Sequence, residues 1–180
     1  ILSTGTATLG EIQATVAFLE RIDAPDYALL HCVSAYPAPL SAANLTTIPA
    51  IAERFGVVVG FSDHTLGVTA AIAATALSAA IIEKHFILDR ADGGPDSSFA
   101  IEPDELALLC RSVREAHDTL GQPDFGMNDA ETKSPIYKRC FHTTRPIKAG
   151  EVFGADNIRA IRARKGLPAR RFEEVFGARA

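Results

Sequence analysis

Short apolar runs alternate with longer segments of helical periodicity over the first 120 residues of the chain. Strands are predicted at residues 1–4, 27–33, 57–62 and 80–86, and helices at residues 8–22, 44–55, 66–79 and 103–120. Asn44 is expected to cap the second of these helices, because asparagine is a favoured N-cap residue. Strands and helices that alternate in this way are typical of a parallel sheet built from β/α units.

The pattern changes after Leu120. Gly, Pro, Asn, Asp and Ser dominate residues 121–136, and this composition predicts a linker. Beyond the linker, apolar and polar residues alternate at 140–144, 152–153 and 157–162, which indicates short strands. We therefore predict a β/α domain at residues 1–120, a linker at 121–136 and a small β-rich domain at 137–180.

Polar residues collect where the predicted parallel strands end. Alternate residues of a strand share a face, so Ser62 lies with His64 and Glu83 lies with His85. If the two strands are parallel neighbours, both histidines emerge on one rim of the sheet. Two imidazoles, a hydroxyl and a carboxylate indicate a divalent-metal site, although each histidine could instead be a structural residue at a strand end. Active sites lie on this rim in (β/α)₈ barrels and in open doubly wound sheets alike.

The composition limits the class of protein. With 47% hydrophobic and 22% charged residues, the chain resembles an ordinary soluble globular protein. Its net charge of −4 argues against binding to nucleic acid or to an anionic membrane, and no apolar run approaches the roughly 20 residues of a spanning helix. Three widely spaced cysteines and no recognisable signal peptide favour a cytoplasmic protein with reduced thiols. Because the sequence opens in a strand without methionine, we expect a piece of a longer protein.

Five motifs resemble those of the nonulosonic (sialic) acid synthase family. They are residues 3–5 (STG), 31–39 (HCVSAYPAP), 60–65 (GFSDHT), 83–86 (EKHF) and 94–96 (GPD), and residues 147–167 resemble the family's C-terminal SAF (antifreeze-like) domain. Residues 34–36 and 94–99 are most similar to the pseudaminic acid synthase branch. The resemblance implies an α/β fold: the C-terminal half of a (β/α)₈ TIM barrel, followed by a small, truncated SAF domain.

The resemblance also implies a reaction. Enzymes of this family condense phosphoenolpyruvate with an N-acetylated amino sugar and release phosphate. For this chain the expected acceptor is a 2,4-diacetamido-2,4,6-trideoxy-altrose type sugar, which gives pseudaminic acid. The alternatives are an N-acetylneuraminic or legionaminic acid synthase, or a non-catalytic fragment of such an enzyme. The 180-residue chain by itself is expected to be inactive, because half of the barrel is not encoded in it.

The same resemblance assigns roles to individual residues. His64 and His85 match the ligands of a divalent metal, with Mn²⁺ expected first and Mg²⁺ or Co²⁺ as alternatives, and Glu83 is expected to orient or deprotonate a water. Asp96 matches a sugar-binding carboxylate. Arg162 matches an arginine that reaches into a neighbouring subunit, which implies a domain-swapped homodimer. The residues expected to contact phosphoenolpyruvate are Ser3, Ser34, Tyr36 and Ser62.

Considered without the family, several of these residues have simpler interpretations. Ser3 could cap the first helix, Tyr36 could pack in its loop, Asp96 could be a turn residue, and Arg162 could be a solvated charge. Residues 162–164 read Arg-Ala-Arg where the family commonly has Arg-Pro-Gly, which weakens the expected contact of the arginine with another subunit. The remaining histidines are expected to be structural: His31, His117 and His142.

Overall fold

A computed structural model describes residues 1–132, 138–163 and 165–180 of the chain. The chain divides into two compact units, Ile1–Gln122 and Pro123–Ala180. Residues 133–136 of the predicted linker and residue 137, the predicted start of the second domain, lie outside the described residues.

The first unit is a four-stranded parallel sheet in which each strand is followed by a helix. The strands lie in the order β1-β2-β3-β4. This is the predicted β/α alternation, with every strand beside its sequence neighbour. The elements are β1 Leu2–Ser3, α1 Leu9–Arg21, β2 Ala28–Cys32, α2 Thr47–Phe55, β3 Val58–Asp63, α3 Thr69–Ala76, β4 Ile81–Lys84 and α4 Pro103–Leu120.

Two helices of the first unit, α1 and α4, begin with sequence features that are typical of helix starts. Helix α1 starts with a capping box formed by Thr8 and Glu11, and α4 starts at Pro103, as predicted. The predicted cap of α2 is wrong. Asn44 has a φ of +44°, whereas an N-cap residue needs extended backbone, and the helix begins only at Thr47. Asparagine tolerates the left-handed region, so Asn44 forms the turn before the helix.

The core of the first unit lies between the sheet and its helices. Strand β2 is buried along its whole length. Apolar side chains on the helix-facing side of the sheet pack against the inner faces of α1, α2 and α3, and each large one contributes about 1.5–3 kcal/mol on burial. The cluster includes Val16, Leu29, Ile48, Ile51, Val59, Phe61, Ala70 and Ala74.

Gly60 lies in the middle of β3, in close contact with both neighbouring strands. A Cβ at this position would come 2.5 Å from Leu30 Cδ2 on β2 and 2.5 Å from the Ile81 carbonyl oxygen on β4. Atoms so close would overlap, so any side chain at position 60 would push β3 away from its neighbours. Gly60 shares its face of β3 with Ser62, two residues further on.

The second unit contains a three-stranded antiparallel sheet with the order β6-β5-β7. Its strands are β5 Arg139–Thr143, β6 Ile158–Arg162 and β7 Leu167–Pro168, and its helices are the single turns α5 Asp129–Thr132 and α6 Phe172–Val175. Helix α5 falls within the predicted linker. The strand expected at 152–153 is reduced to an isolated bridge between Val152 and Arg179.

Candidate active site

The carboxyl ends of β3 and β4 bring the two predicted metal ligands together. Asp63 and Lys84 are the last paired residues of these strands, and the next residues are His64 and His85. Their imidazole ring centroids lie 5.1 Å apart, with the ring planes at 66°. His64 is buried, whereas about a third of the His85 side chain is exposed. The parallel pairing of the strands thus places both rings at one end of the sheet.

Contacts at Nδ1 indicate which tautomer each imidazole ring adopts when it is neutral. His64 Nδ1 lies 2.9 Å from the Val33 carbonyl oxygen, and His85 Nδ1 lies 3.1 Å from Asp96 Oδ2. A carbonyl or carboxylate oxygen only accepts, so Nδ1 is the protonated nitrogen in each neutral ring and Nε2 carries the lone pair. Metal-binding histidines are commonly oriented in this way by a carbonyl or a carboxylate behind them.

These two imidazoles fit a divalent transition-metal ion. Within the ranges that the structure describes, no group of three or more His, Cys, Asp and Glu side chains could hold a metal ion. The pair alone would therefore provide only part of a coordination sphere. Catalytic metal sites have the same property, because they keep positions open for water or substrate.

A hydroxyl and a carboxylate lie beside the histidines. Ser62 and Glu83 are paired in register, and the Ser62 hydroxyl donates a hydrogen bond to Glu83 Oε1 at 2.7 Å. Ser62 is buried, while Glu83 is exposed. Strand alternation predicted that Ser62 and Glu83 share a face of the sheet with the histidines. The hydrogen bond between Ser62 and Glu83 lies on that face.

Two aromatic rings border the histidines. The Tyr36 ring centroid is 4.4 Å from that of His64 and 6.1 Å from that of His85. Phe99 is buried and lies 4.9 Å from His85 and 5.6 Å from Tyr36, centroid to centroid. Phe99 was not predicted to belong to the site. The sequence feature that could have indicated its role is a large apolar side chain directly after the mostly polar loop at 89–98.

Comparison with known proteins shows the family to which the chain belongs. Residues 1–124 match the NeuB family. The chain belongs to the NeuB family. Residues 138–180 of this NeuB chain match the SAF domain, so both the family and the C-terminal domain predicted from the motifs are confirmed.

Relatives of the chain include two enzymes from Campylobacter jejuni subsp. jejuni. An N,N'-diacetyllegionaminic acid synthase is 38% identical over 98% of this chain and 54% of its own length. A pseudaminic acid synthase is 35% identical over 100% of this chain and 52% of its own length. The NeuB chain thus spans about half the length of the relatives it matches.

Solved structures support the fold. The sialic acid synthetase of Leptospira borgpetersenii, in complex with citrate, is 34% identical and superimposes with a TM-score of 0.68 over 73% of this chain and 46% of that one. The spore coat polysaccharide biosynthesis protein SpsE of Bacillus subtilis is also 34% identical, with a TM-score of 0.63 over 99% of this chain and 56% of that one. The predicted fold class, half of a TIM barrel followed by an SAF domain, is confirmed.

The other predicted site residues of the NeuB chain have distinct surroundings. Ser3 ends β1 and does not cap α1, because Thr8 does. The Ser34 hydroxyl faces Gly5, where an added Cβ would lie 3.3 Å from it. Asp96, predicted to bind sugar, contacts His85.

Arg162 ends β6 in the second unit, paired in register with Arg139, and is exposed. Its predicted role in a neighbouring subunit stays a prediction, and Arg164 lies outside the described residues. Of the histidines expected to be structural, His31 is buried, and its Nε2 lies 2.7 Å from the Ala43 carbonyl oxygen. None of the helices in the described part of the chain has the length and apolar composition needed to cross a membrane.

Proposed function

We propose that this chain carries the metal-binding rim of a nonulosonic acid synthase, which condenses phosphoenolpyruvate with an N-acetylated amino sugar and releases phosphate. The supporting observation is the pair of imidazoles, 5.1 Å apart, at the carboxyl ends of β3 and β4. Membership of the NeuB family adds the reaction class, since relatives of the chain are named as synthases of legionaminic and pseudaminic acid.

In this proposal His64 and His85 hold a divalent cation, Mn²⁺ first among the candidates, through their Nε2 atoms. The bound cation would supply Lewis acidity toward the carbonyl oxygen of the open-chain sugar. The protein's own contribution is orientation: Val33 and Asp96 fix the two rings through Nδ1, at 2.9 and 3.1 Å. Asp96 then acts on His85 as well as on the sugar that it was predicted to bind.

Glu83 is proposed to act on water. A carbon–carbon bond forms between the methylene carbon of phosphoenolpyruvate and the sugar aldehyde carbon, which leaves an oxocarbenium centre at the enol carbon. The aldehyde oxygen takes up a proton from solvent and becomes a hydroxyl group. Water adds to the oxocarbenium centre and gives one proton to Glu83, and the resulting tetrahedral carbon expels phosphate, which carries away the proton of the new hydroxyl group as the ketone forms. The Ser62 hydroxyl, bonded to Glu83 Oε1, keeps the carboxylate in place for this step.

The hydroxyls along the rim are proposed to bind phosphoenolpyruvate. Hydroxyl donors suit its phosphate and carboxylate oxygens, and such charge-assisted bonds are stronger than neutral ones. The residues proposed as donors are Ser3, Ser34 and Tyr36. Ser62, whose one hydroxyl proton goes to Glu83, is proposed to contact phosphoenolpyruvate without donating to it. Arg162 is proposed to reach the site of a neighbouring copy in a domain-swapped homodimer.

The decisive experiment measures phosphate release by the full-length protein with phosphoenolpyruvate and an amino sugar. We expect His64→Ala and His85→Ala, and treatment with a chelator, to reduce release to background, with Mn²⁺ restoring the chelated wild type. His117→Ala is the matched control, because His117 is exposed on α4. Full phosphate release in metal-free buffer would refute the metal assignment.

The acceptor sugar requires its own comparison. Identities of 38% to a legionaminic acid synthase and 35% to a pseudaminic acid synthase do not separate these substrates. We propose the altro-configured diacetamido sugar on the strength of residues 94–99 and 34–36. It should give faster phosphate release than N-acetylmannosamine or the diacetamido precursor of legionaminic acid. A higher kcat/KM for either competitor would reassign the substrate within the same reaction class.

A further inference from the structure

A buried ion pair lies directly behind the two histidines. Lys84 Nζ is 2.8 Å from Asp63 Oδ2, and the two side chains are 3% and 0% exposed. Side chains of a strand alternate between faces, so Asp63 and Lys84 point away from the face of Ser62 and Glu83 and into the helix-facing side of the sheet. These two residues form the last registered pair of β3 and β4.

The pair extends past the end of the sheet through the backbone of Thr65. The Lys84 ammonium also donates to the Thr65 carbonyl oxygen at 2.6 Å, and the Thr65 N–H donates to Asp63 Oδ1 at 2.8 Å. Thr65 contributes backbone atoms only to these bonds. The residues on both sides of His64 are thereby tied to the residue that precedes His85.

The strand ladder ends just before the histidines. The pairing of β3 with β4 ends at Asp63 and Lys84, one residue before the histidines. Beyond it, the His64 carbonyl oxygen accepts from the Ala38 N–H and the His85 carbonyl oxygen from the Ile101 N–H. Both bonds run to segments outside the β3–β4 pair, so neither ties one histidine strand to the other.

Stability alone does not account for an ion pair at this place. Two buried charges lose their hydration, and well-packed apolar residues of similar volume are often equally stable or more so. Further down the same side of the sheet, the chain uses apolar residues, including Leu29, Val59 and Phe61. The ion pair stands on this side at the level of the histidines.

We propose that Asp63 and Lys84 form a clamp that sets the separation and orientation of His64 and His85, and that both are positioning residues for the metal site. This inference rests on the proposed function, because it assumes that the two histidines bind a cation. A clamp of this kind holds the two strand ends in one register, so that the binding geometry exists before the ion arrives.

The test compares Mn²⁺ affinity with stability in the full-length protein. Lys84→Met and Asp63→Asn each leave one partner of the pair unmatched, whereas the double variant removes both charges and keeps an acceptor for the Thr65 N–H. We expect the double variant to recover much of the unfolding midpoint lost by the single variants. Its Mn²⁺ affinity, measured by calorimetry, should remain at least about tenfold below that of the wild type.

Ile48→Ala is the stability control, because Ile48 is a fully buried core residue of α2 and belongs to neither β3 nor β4. It should lower the unfolding midpoint and leave Mn²⁺ affinity unchanged. If the double variant does not fold, the Mn²⁺ affinity of Asp63→Asn is compared with that of Ile48→Ala. Weaker binding by Asp63→Asn supports the clamp, and equal binding overturns it. Wild-type affinity in the folded double variant would overturn the clamp but leave the metal site intact. A wild type that binds no Mn²⁺ would overturn the proposed function and the clamp together.

Discussion

At the scale of single residues, Glu83 is the carboxylate that we propose to act on water at the rim. Glu83 lies two residues before His85 and on the same face of the strand, and its side chain is exposed. The buried Ser62 hydroxyl anchors one of its oxygens at 2.7 Å. The hydroxyl donates this bond, so it restricts the orientation of the Glu83 side chain.

Replacement of Glu83 by glutamine tests this role. The amide keeps the size of the side chain and can still accept from Ser62, but it cannot take a proton. We expect kcat for phosphate release to fall by about 10²–10⁴-fold, with Mn²⁺ affinity close to that of the wild type. Glu53→Gln, an exposed position on α2, is the control. A kcat unchanged by Glu83→Gln would assign the base to another group.

The sequence predicted the placement of residues that belong to strands and missed contacts made by loops. Alternation along β3 and β4 was enough to group Ser62 with His64 and Glu83 with His85. The contact of Asp96 with His85 and the burial of Phe99 depend on the path of residues 89–99 back over the rim. That path is set by long-range bonds, such as the one from the Ile101 N–H to the His85 carbonyl oxygen, which no local pattern encodes.

At the scale of elements, an arginine forms two ion pairs within the connection between β5 and β6. Arg145 lies 2.6 Å from Glu151 Oε1 and 3.1 Å from Asp156 Oδ2. The Arg145 guanidinium, with help from the Lys148 backbone N–H, lowers the pKa of Glu151 from an ordinary value of 4.5 to about 2. The same contact with Glu151, followed by that with Asp156, raises the pKa of Arg145.

This pKa predicts how the second unit responds to acid. A carboxylate whose pKa is lowered by folding stabilises the folded state fully above its unfolded pKa, here 4.5, and loses that contribution as the pH falls toward 2. Amide hydrogen exchange in β5 and β6 should therefore accelerate as the pH drops through this window, after correction for intrinsic rates. Glu151→Gln should flatten the dependence, and Glu173→Gln, exposed on α6, should not. Identical profiles for the wild type and Glu151→Gln would contradict the assignment.

Helix starts show the same limit of sequence patterns at the element scale. Proline and acidic residues at the start of α4 specify their helix locally, and the prediction there was correct. Before α2, Asn44 had two favourable uses, as a cap or in a left-handed turn, and the chain adopts the turn. The choice depends on how residues 38–43 join the strand end to the helix, through contacts such as the bond from the Ala38 N–H to the His64 carbonyl oxygen.

At the scale of the whole molecule, the sheet of the first unit has two outer strands. Among the described residues, β1 has only β2 as a strand neighbour, and β4 has only β3. In a (β/α)₈ barrel every strand has two neighbours, and the active site draws residues from several strands. The β/α repeat was predictable because each unit is local in sequence, whereas the closure of a barrel depends on strands far apart in a chain.

This topology predicts that the 180-residue polypeptide, expressed by itself, does not turn over phosphoenolpyruvate. Its rim brings four strand ends to the site, whereas the relatives are about twice as long as this chain. Phosphate release should stay at background for the polypeptide and be measurable for the full-length protein assayed in parallel. Comparable turnover by the two would mean that four β/α units suffice for catalysis.

The close packing at Gly60 gives a residue without a functional group an influence on the positions of His64 and His85. Gly60 lies four residues before His64. A single methyl group at position 60 would collide with the backbone of β4. Substitution there would not remove a ligand or a charge, yet it would wedge apart the two strands that deliver the imidazoles. In a mutational survey of this protein, Gly60→Ala should therefore group with the histidine variants, and a search for essential positions guided only by functional groups would overlook it.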